Sequence, residues 1–277
     1  MVVLRRVILP ALFPAQTRTR DIMTDDAPTW PLDKDGFRLR GLEMTRTETF
    51  TDAAFAFAVT LLVISTQSVP DSYEEMIGAL AGAPAFAVSF LLIMTFWFGH
   101  WQWSRRYGLE DMGAIFLSGA LVFMVLVYVY PLKFLFSLAV NFYSGGRFSP
   151  DATLSGIDEL YHIFGIYGLG YAAMTALIAT LHFHAWRQRD ALGLDAVERH
   201  LTRAHILAWL VLGTVGALSA SLAFFTEPVR VVWPGWVYML LPVVMPLIGR
   251  RANRENRRLM AERGARRSPS PDSSRLL

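Results

Sequence analysis

The 277-residue chain contains no cysteine, so disulfide bridges, thiolate metal sites and cysteine nucleophiles are excluded. Charged side chains are also scarce: they form 18% of the sequence, whereas an average soluble domain has about a quarter. No nucleophile–base pair, phosphate-binding P-loop or carboxylate dyad can be recognised. The sequence therefore predicts neither an enzyme nor a bound cofactor.

Long apolar runs dominate what is present, since 53% of the residues are hydrophobic. Several runs reach the roughly 20 residues that a helix needs to cross a bilayer. The sequence predicts an all-α integral membrane protein with six spans, in which Pro131 kinks the third. The predicted spans are residues 45–68, 76–103, 111–140, 158–186, 202–225 and 229–248.

Basic residues alternate along the chain between neighbouring intervals. Arginine is frequent before the first span, in the second and fourth loops and after the last span, whereas the third and fifth loops carry only Arg147 and Arg230. This pattern predicts that both termini are cytoplasmic in a cell inner (plasma) membrane. The net charge of +3 is explained by topology, and no nucleic-acid partner is expected.

Three regions follow from this distribution. Residues 1–43 and 251–277 are polar or arginine-rich, and both are predicted to be disordered cytoplasmic tails. Residues 44–250 form the predicted six-helix membrane domain. Within it, the closely spaced glycines of GIYGLG (165–170) lie inside an apolar helix, which indicates close helix packing and not a nucleotide loop.

The first span opens with charged residues, in RTETFTDAAFAFAVTLLV. Asp52 lies about 140° from Phe57 on a helical wheel, so the two side chains face different surroundings. An ionisable side chain within a span normally pairs inside the protein, and Asp52 therefore needs a partner on another helix. The stripe that includes Phe57 consists of Arg46, Phe50, Ala53, Phe57, Thr60, Leu61 and Ile64.

His100 is the partner that the sequence offers to Asp52. At 1.5 Å per residue, the two side chains lie at depths that agree to within roughly 5 Å. Arg46, Trp97 and Asp111 could join the same cluster. Two interpretations remain open at this point: a titratable gate or proton relay, and a structural network that locks two helices together.

The same stretch carries a family signature. Arg46, Phe50, Thr51 and Asp52 are followed by AFAVTLLV (56–63), and the second span contains FWFGH (96–100). These residues resemble the R-x-x-x-F-S-D and F-W-x-x-H motifs of the transmembrane protein 175 family, which comprises endolysosomal potassium channels and shorter prokaryotic relatives. The resemblance extends over about residues 44–250.

The resemblance implies a homotetrameric, potassium-selective channel that conducts K⁺ passively through a pore lined by the first helix of each subunit. It further implies that Phe57, Leu61 and Ile64 form the hydrophobic constriction and that Thr60 contributes to selectivity. The implied structural and gating network consists of Arg46, Phe50, Thr51, Asp52, Trp97 and His100. K⁺ and the lipid bilayer are the expected partners besides the other subunits.

Two positions depart from the family pattern. Thr51 replaces a serine but keeps the hydroxyl, whereas Phe57 stands where isoleucine or leucine is usual at the narrowest ring. Four phenylalanines need more room than four isoleucines, so the conductance of this chain is expected to differ. The alternative functions are a proton-coupled transporter that uses Asp52 and His100, and a non-conducting scaffold or sensor with the same fold.

Overall fold

The computed structural model describes residues 30–64, 70–150, 152–227 and 233–267. Within these ranges the regular secondary structure is helical, apart from one isolated β-bridge between Leu32 and Arg38. The helices are α1 (Arg46–Ile64), α2 (Tyr73–Ala81), α3 (Ala83–Tyr107), α4 (Met112–Ser144), α5 (Ile157–Arg187), α6 (Ala196–Phe225), α7 (Trp233–Trp236) and α8 (Leu241–Arg267), with a 3-10 helix, Val237–Leu240, before α8.

Four of these helices, α3 to α6, are long and apolar enough to cross a membrane. This confirms the prediction of an all-α membrane protein. The predicted first and last spans correspond to α1 and α8. Both are helical, but α1 begins with charged residues and α8 carries arginines from Arg250 onwards.

The second predicted span is divided into two helices, so the prediction of a single helix was wrong there. Gly82 ends α2 with its amide bonded to the carbonyl oxygens of Ala79 and Leu80, and Pro84 lies in the first turn of α3. Proline fits a first turn, where no amide donor is needed, but not a helix interior. By contrast, α4 continues through Pro131.

The helices pack around a common apolar core. Helix α1 contributes Phe55, Ala58 and Leu62, all buried against α3 and α4. Helices α5 and α6 approach closely at Gly168, where an added Cβ would lie 2.6 Å from the Gly216 carbonyl oxygen. The glycines of α5 therefore serve helix packing, as the sequence indicates.

The chain before α1 forms an ordered segment, the N-terminal hook (residues 31–42). The carboxylate of Asp33 accepts hydrogen bonds from the amides of Asp35 and Phe37, and Gly36 adopts a φ of +84° between them. The Phe37 ring is completely buried, edge-on to Tyr107 at a centroid distance of 5.3 Å. This turn fixes the hook against the end of α3.

Buried ion pairs attach the hook to two helices. Arg106 of α3 contacts Asp33 at 2.8 Å and Asp35 at 2.9 Å. Glu198 of α6 is 0% exposed, and Arg40 binds its two carboxylate oxygens at 2.9 and 3.0 Å. Arg38 also binds Glu198, so one buried carboxylate receives two guanidinium groups.

Helix α8 holds the opposite side of the hook. The amide group of Asn256 donates to the Asp35 carbonyl oxygen at 3.0 Å, and Arg263 donates to that of Gly36 at 2.8 Å. The predicted boundaries of the two tails were therefore wrong: residues 31–43 are ordered, and residues 251–267 continue α8. Residues 1–29 and 268–277, the remainder of both predicted tails, lie outside the described residues.

Candidate pore helix and its polar network

Helix α1 has one packed face and one open face. Thr51, Phe55, Ala58 and Leu62, at helical spacing, are buried against the rest of the subunit. The opposite face is exposed and consists of Arg46, Thr49, Phe50, Ala53, Ala56, Phe57, Thr60 and Val63. Because most of these residues are uncharged or apolar, the face is suited to a partner or a narrow pore more than to bulk water.

The predicted pore residues divide between these faces. Phe57 is 55% exposed, and Thr60 is also exposed, with its hydroxyl donating to the Ala56 carbonyl oxygen at 3.0 Å. Leu61 is half-buried and packs against the apolar core, which places it at the edge of the open face. The side chain of Ile64 lies outside the described part of the chain.

Asp52 is joined to α3 by a direct hydrogen bond. The indole Nε1–H of Trp97 donates to Asp52 Oδ1 at 2.8 Å across 45 positions of sequence. Asp52 is half-buried, and the charge-assisted bond compensates part of its lost hydration. The aspartate thus has its partner on the second predicted span, but that partner is Trp97.

His100 bonds elsewhere. It is buried one turn beyond Trp97, and its Nε2 shares a hydrogen bond of 2.9 Å with the Ser118 hydroxyl of α4. The structure therefore does not pair Asp52 with His100: Asp52 bonds across the α1–α3 interface, and His100 bonds across the α3–α4 interface. Together, the Trp97–Asp52 and His100–Ser118 bonds connect α1 to α3 and α3 to α4.

Asp111 belongs to a different cluster, with His184 and Gln188. Its carboxylate caps α4 by accepting from the Ala114 amide at 3.0 Å, and it contacts His184 Nε2 at 2.8 Å and Gln188 Nε2 at 2.6 Å. Burial raises the pKa of Asp111, but these hydrogen bonds lower it more strongly, to about 2. Asp111 is therefore ionised at neutral pH and does not join the cluster around Asp52.

The remaining signature residues make local contacts. Arg46 is exposed and makes no ion pair with the residues that the structure describes, and Phe50 is 62% exposed. Thr51 is fully buried and donates to the Thr47 carbonyl oxygen of its own helix at 2.8 Å. Its hydroxyl is therefore satisfied within α1.

Sequence reasoning missed Glu48, which is the most buried acid on α1. Glu48 is 3% exposed, and its Oε1 lies 3.5 Å from Nε of Arg105. Arg105 also donates to the carbonyl oxygens of Gly41 and Leu42 in the hook. The i, i+4 spacing of Glu48 and Asp52 places both acids near one side of α1, and this spacing is the signal that could have identified Glu48.

The contacts around Asp52 and Glu48 join α1 to α3. Across the described ranges, no group of three or more His, Asp or Glu side chains is arranged to hold a metal ion. These contacts hold the packed side of α1, which carries Glu48 and Asp52, and the side that carries Phe57 and Thr60 is left exposed.

Comparison with known proteins identifies the family of the chain. Residues 46–131 match the family described as "Endosomal/lysosomal potassium channel TMEM175". The chain is 32% identical over 235 residues to a potassium channel of Marivirga tractuosa, in an alignment that covers 82% of this chain and 94% of that protein. It also resembles the crystal structure of a variant of the potassium channel MtTMEM175 in complex with a nanobody fusion protein, with a TM-score of 0.71 and 30% identity over 81% of this chain and 100% of that one. The extent of these matches establishes that the chain belongs to the TMEM175 family.

Proposed function

We propose that this chain is the subunit of a homotetrameric potassium channel in which α1 of each copy faces a central pore. The observation that carries the proposal is the open face of α1, on a helix whose other face is packed into its own subunit. Membership of a potassium channel family gives that face a function. K⁺ would pass down its gradient, and no cofactor would take part.

Within this pore, Phe57 and Thr60 have different roles. The exposed Phe57 rings form the hydrophobic constriction, with Leu61 at its edge and Ile64 one turn further along. Such a constriction closes a pore by excluding water. Thr60 donates to its own helix, so its hydroxyl oxygen retains lone pairs that can replace part of the hydration of a permeating ion.

The acidic side of α1 sets the orientation of the open side. Asp52 bonds to Trp97 and Glu48 pairs with Arg105, and both partners belong to α3. Rotation of α1 about its axis would break both contacts. We therefore assign these residues to pore-helix positioning, together with Thr51 and with His100 through its bond to Ser118. Arg46 and Phe50, exposed in the subunit, are assigned to contacts between subunits.

The proposed topology uses six spans per subunit, over residues 44–250. Helices α1 and α8 provide the first and last spans beside the four long apolar helices. The distribution of arginine places both termini in the cytoplasm, with the channel in the cell inner (plasma) membrane. Under this topology the hook and the second half of α8 lie on the cytoplasmic side.

Flux measurements in proteoliposomes test the proposal. We expect K⁺ flux to exceed Na⁺ flux, Phe57→Ile to increase the K⁺ flux, and Thr60→Ala to reduce the preference for K⁺ by about tenfold. Correctly assembled protein that passes no ions, even as Phe57→Ala, would identify a scaffold or sensor. Flux that requires a proton gradient and disappears in Asp52→Asn would identify a proton-coupled transporter.

A further inference from the structure

The cytoplasmic half of α8 has two opposite faces, and one of them docks onto the protein. His200 Nε2 donates to the Ala252 carbonyl oxygen at 3.0 Å, and Asn256 and Arg263 bond to the hook. Leu259 packs against the buried cluster that contains Phe37. At about 100° per residue these positions span roughly 60° of the helix surface. The docking face fixes the rotation of α8 about its axis.

The other face is basic. It carries Arg250, Arg251, Arg254, Arg257 and Arg258, all of them exposed. On the same helical wheel the five arginines fall within a sector of about 120°, whose centre lies about 180° from the centre of the docking face. The folded subunit therefore directs these side chains away from itself.

Few acidic groups neutralise this basic face. Among the described residues its one ion pair joins Arg258 to Glu255 at 3.6 Å, and both side chains are exposed, so the pair is weak. Arg257 Nε donates to the Asn253 carbonyl oxygen at 3.4 Å, which leaves its charge uncompensated. By contrast, Arg263 on the docking side contacts Asp195 at 3.2 Å. The arginines that stabilise the fold and those of the basic face are thus separate sets.

In the proposed topology, the basic face begins where α8 leaves the membrane. Arg250 follows the apolar segment LPVVMPLIG (241–249) directly. The headgroup region adds about 5–8 Å on each side of the hydrocarbon core. At 1.5 Å per residue, Arg251 and Arg254 lie within about 6 Å of Arg250, and Arg258 within about 12 Å. Arg250, Arg251 and Arg254 can therefore reach the headgroup layer. Arg257 and Arg258 lie at about one Debye length from it, the distance over which the charge of the membrane surface is felt.

We propose that this basic face binds the phosphate groups of anionic phospholipids in the leaflet from which α8 emerges. Guanidinium groups bind phosphate oxygens through paired hydrogen bonds, and clusters of arginine next to a membrane span attract anionic lipid. The proposal concerns lipid recognition and does not depend on ion conduction, but it rests on the proposed topology, in which α8 is the last membrane span. An anionic membrane surface carries the negative charge that these arginines require, and it lies where Arg250, Arg251 and Arg254 leave the apolar segment.

Lipid retention by the full-length protein tests the proposal. The protein is purified in a neutral detergent with equimolar phosphatidylglycerol and phosphatidylcholine, and the bound lipids are counted by native mass spectrometry. We expect phosphatidylglycerol to be preferred by about tenfold or more. The triple variant Arg250→Gln/Arg251→Gln/Arg254→Gln should lower the preference to about twofold. Its melting temperature should be unchanged because these side chains are exposed.

A second triple variant serves as a charge-matched control. Arg187→Gln/Arg189→Gln/Arg199→Gln removes the same charge next to α5 and α6, where Arg189 and Arg199 already pair with Asp190. It should keep the lipid preference. Equal retention of both lipids by the wild type, or an equal loss in both variants, would overturn the proposal. Capture of RNA or of an acidic protein by the basic face without any lipid preference would also overturn it.

Discussion

At the scale of single residues, the hydrogen bond between Asp52 and Trp97 is the contact that relates α1 most directly to α3. It connects a half-buried carboxylate with a neutral donor at 2.8 Å. An indole N–H orients the carboxylate without adding a second charge to the membrane interior. Trp97 therefore positions α1 at a lower desolvation cost than a buried salt bridge to Asp52 would impose.

We expect Trp97→Phe to destabilise the protein by about 1–3 kcal/mol, because Asp52 loses its donor and stays half-buried. The measurement is unfolding of the detergent-solubilised protein. Trp101→Phe is the control, since Trp101 stacks on Trp97 at 6.4 Å but its indole nitrogen bonds to no described residue. If both variants were equally destabilised, aromatic packing and not the hydrogen bond would be responsible.

Asp111 predicts a dependence of stability on pH. Its pKa falls from 3.8 to about 2 on folding, so its contribution is present above pH 3.8 and is lost as the pH falls through 2. The side chain is 39% exposed, which limits this contribution to about 1 kcal/mol. Asp111→Asn keeps a capping side chain. Its melting temperature should therefore fall less between pH 5 and pH 2.5 than that of the wild type, and identical falls would contradict the prediction.

At the scale of elements, periodicity predicted much of the exposed face of α1. Of the predicted stripe, Arg46, Phe50, Ala53, Phe57 and Thr60 are exposed, whereas Leu61 is half-buried. Sequence could not predict whether Trp97 or His100 is the partner of Asp52. Both residues lie on α3 at a similar depth, and only the rotation of α3 about its axis determines which of them faces Asp52. Glu48 was missed because a position in the first turn of a helix also fits a side chain at the headgroups.

The interface of α5 and α6 depends on glycine. We expect Gly168→Ala to destabilise the protein by about 1–3 kcal/mol, since the new Cβ would lie 2.6 Å from the Gly216 carbonyl oxygen and 2.8 Å from the Ala220 amide. Gly119→Ala on α4 is the matched control, because its Cβ would meet no atom within 4 Å. That change should be neutral or stabilising by up to about 1 kcal/mol. Thermal unfolding compares the two, and equal effects would exclude close packing as the cause.

Helix ends were the least predictable feature of the elements. The division at Gly82 was missed because residues on both sides of it are apolar, and the hydropathy signal does not register the proline of a first turn. The extension of α8 was missed because its arginines indicate a solvated tail when taken alone. The contacts that order this part of α8, from Asn256 to Asp35 and from Arg263 to Gly36, join residues more than 220 positions apart in sequence.

At the scale of the whole molecule, the N-terminal hook joins three helices. It contacts α3 through Arg106, α6 through Glu198 and α8 through Asn256 and Arg263. Four residues after the hook, α1 begins. The start of the proposed pore helix is thus fixed to the scaffold by buried charges.

Glu198→Gln should release the hook. The change removes the charge that faces Arg38 and Arg40, and breaking a buried ion pair from one side costs about 3 kcal/mol or more. We expect trypsin to cleave after Arg38 or Arg40 faster than in the wild type, as read by mass spectrometry of the fragments. Asp190→Asn, which alters exposed pairs, is the control and should leave cleavage unchanged. Equal protection in Glu198→Gln would contradict this account of the hook.

The hook also imposes an order on biosynthesis. The hook precedes the described helices in sequence, and its bond to Arg263 spans 227 positions, so its contacts with α8 can form only after α8 has been synthesised. Until then the hook can be held only by its contacts with α3 and α6, through Arg106 and Glu198. A chain truncated before α8 would therefore leave the Asp35 and Gly36 carbonyl oxygens without the donors that Asn256 and Arg263 supply.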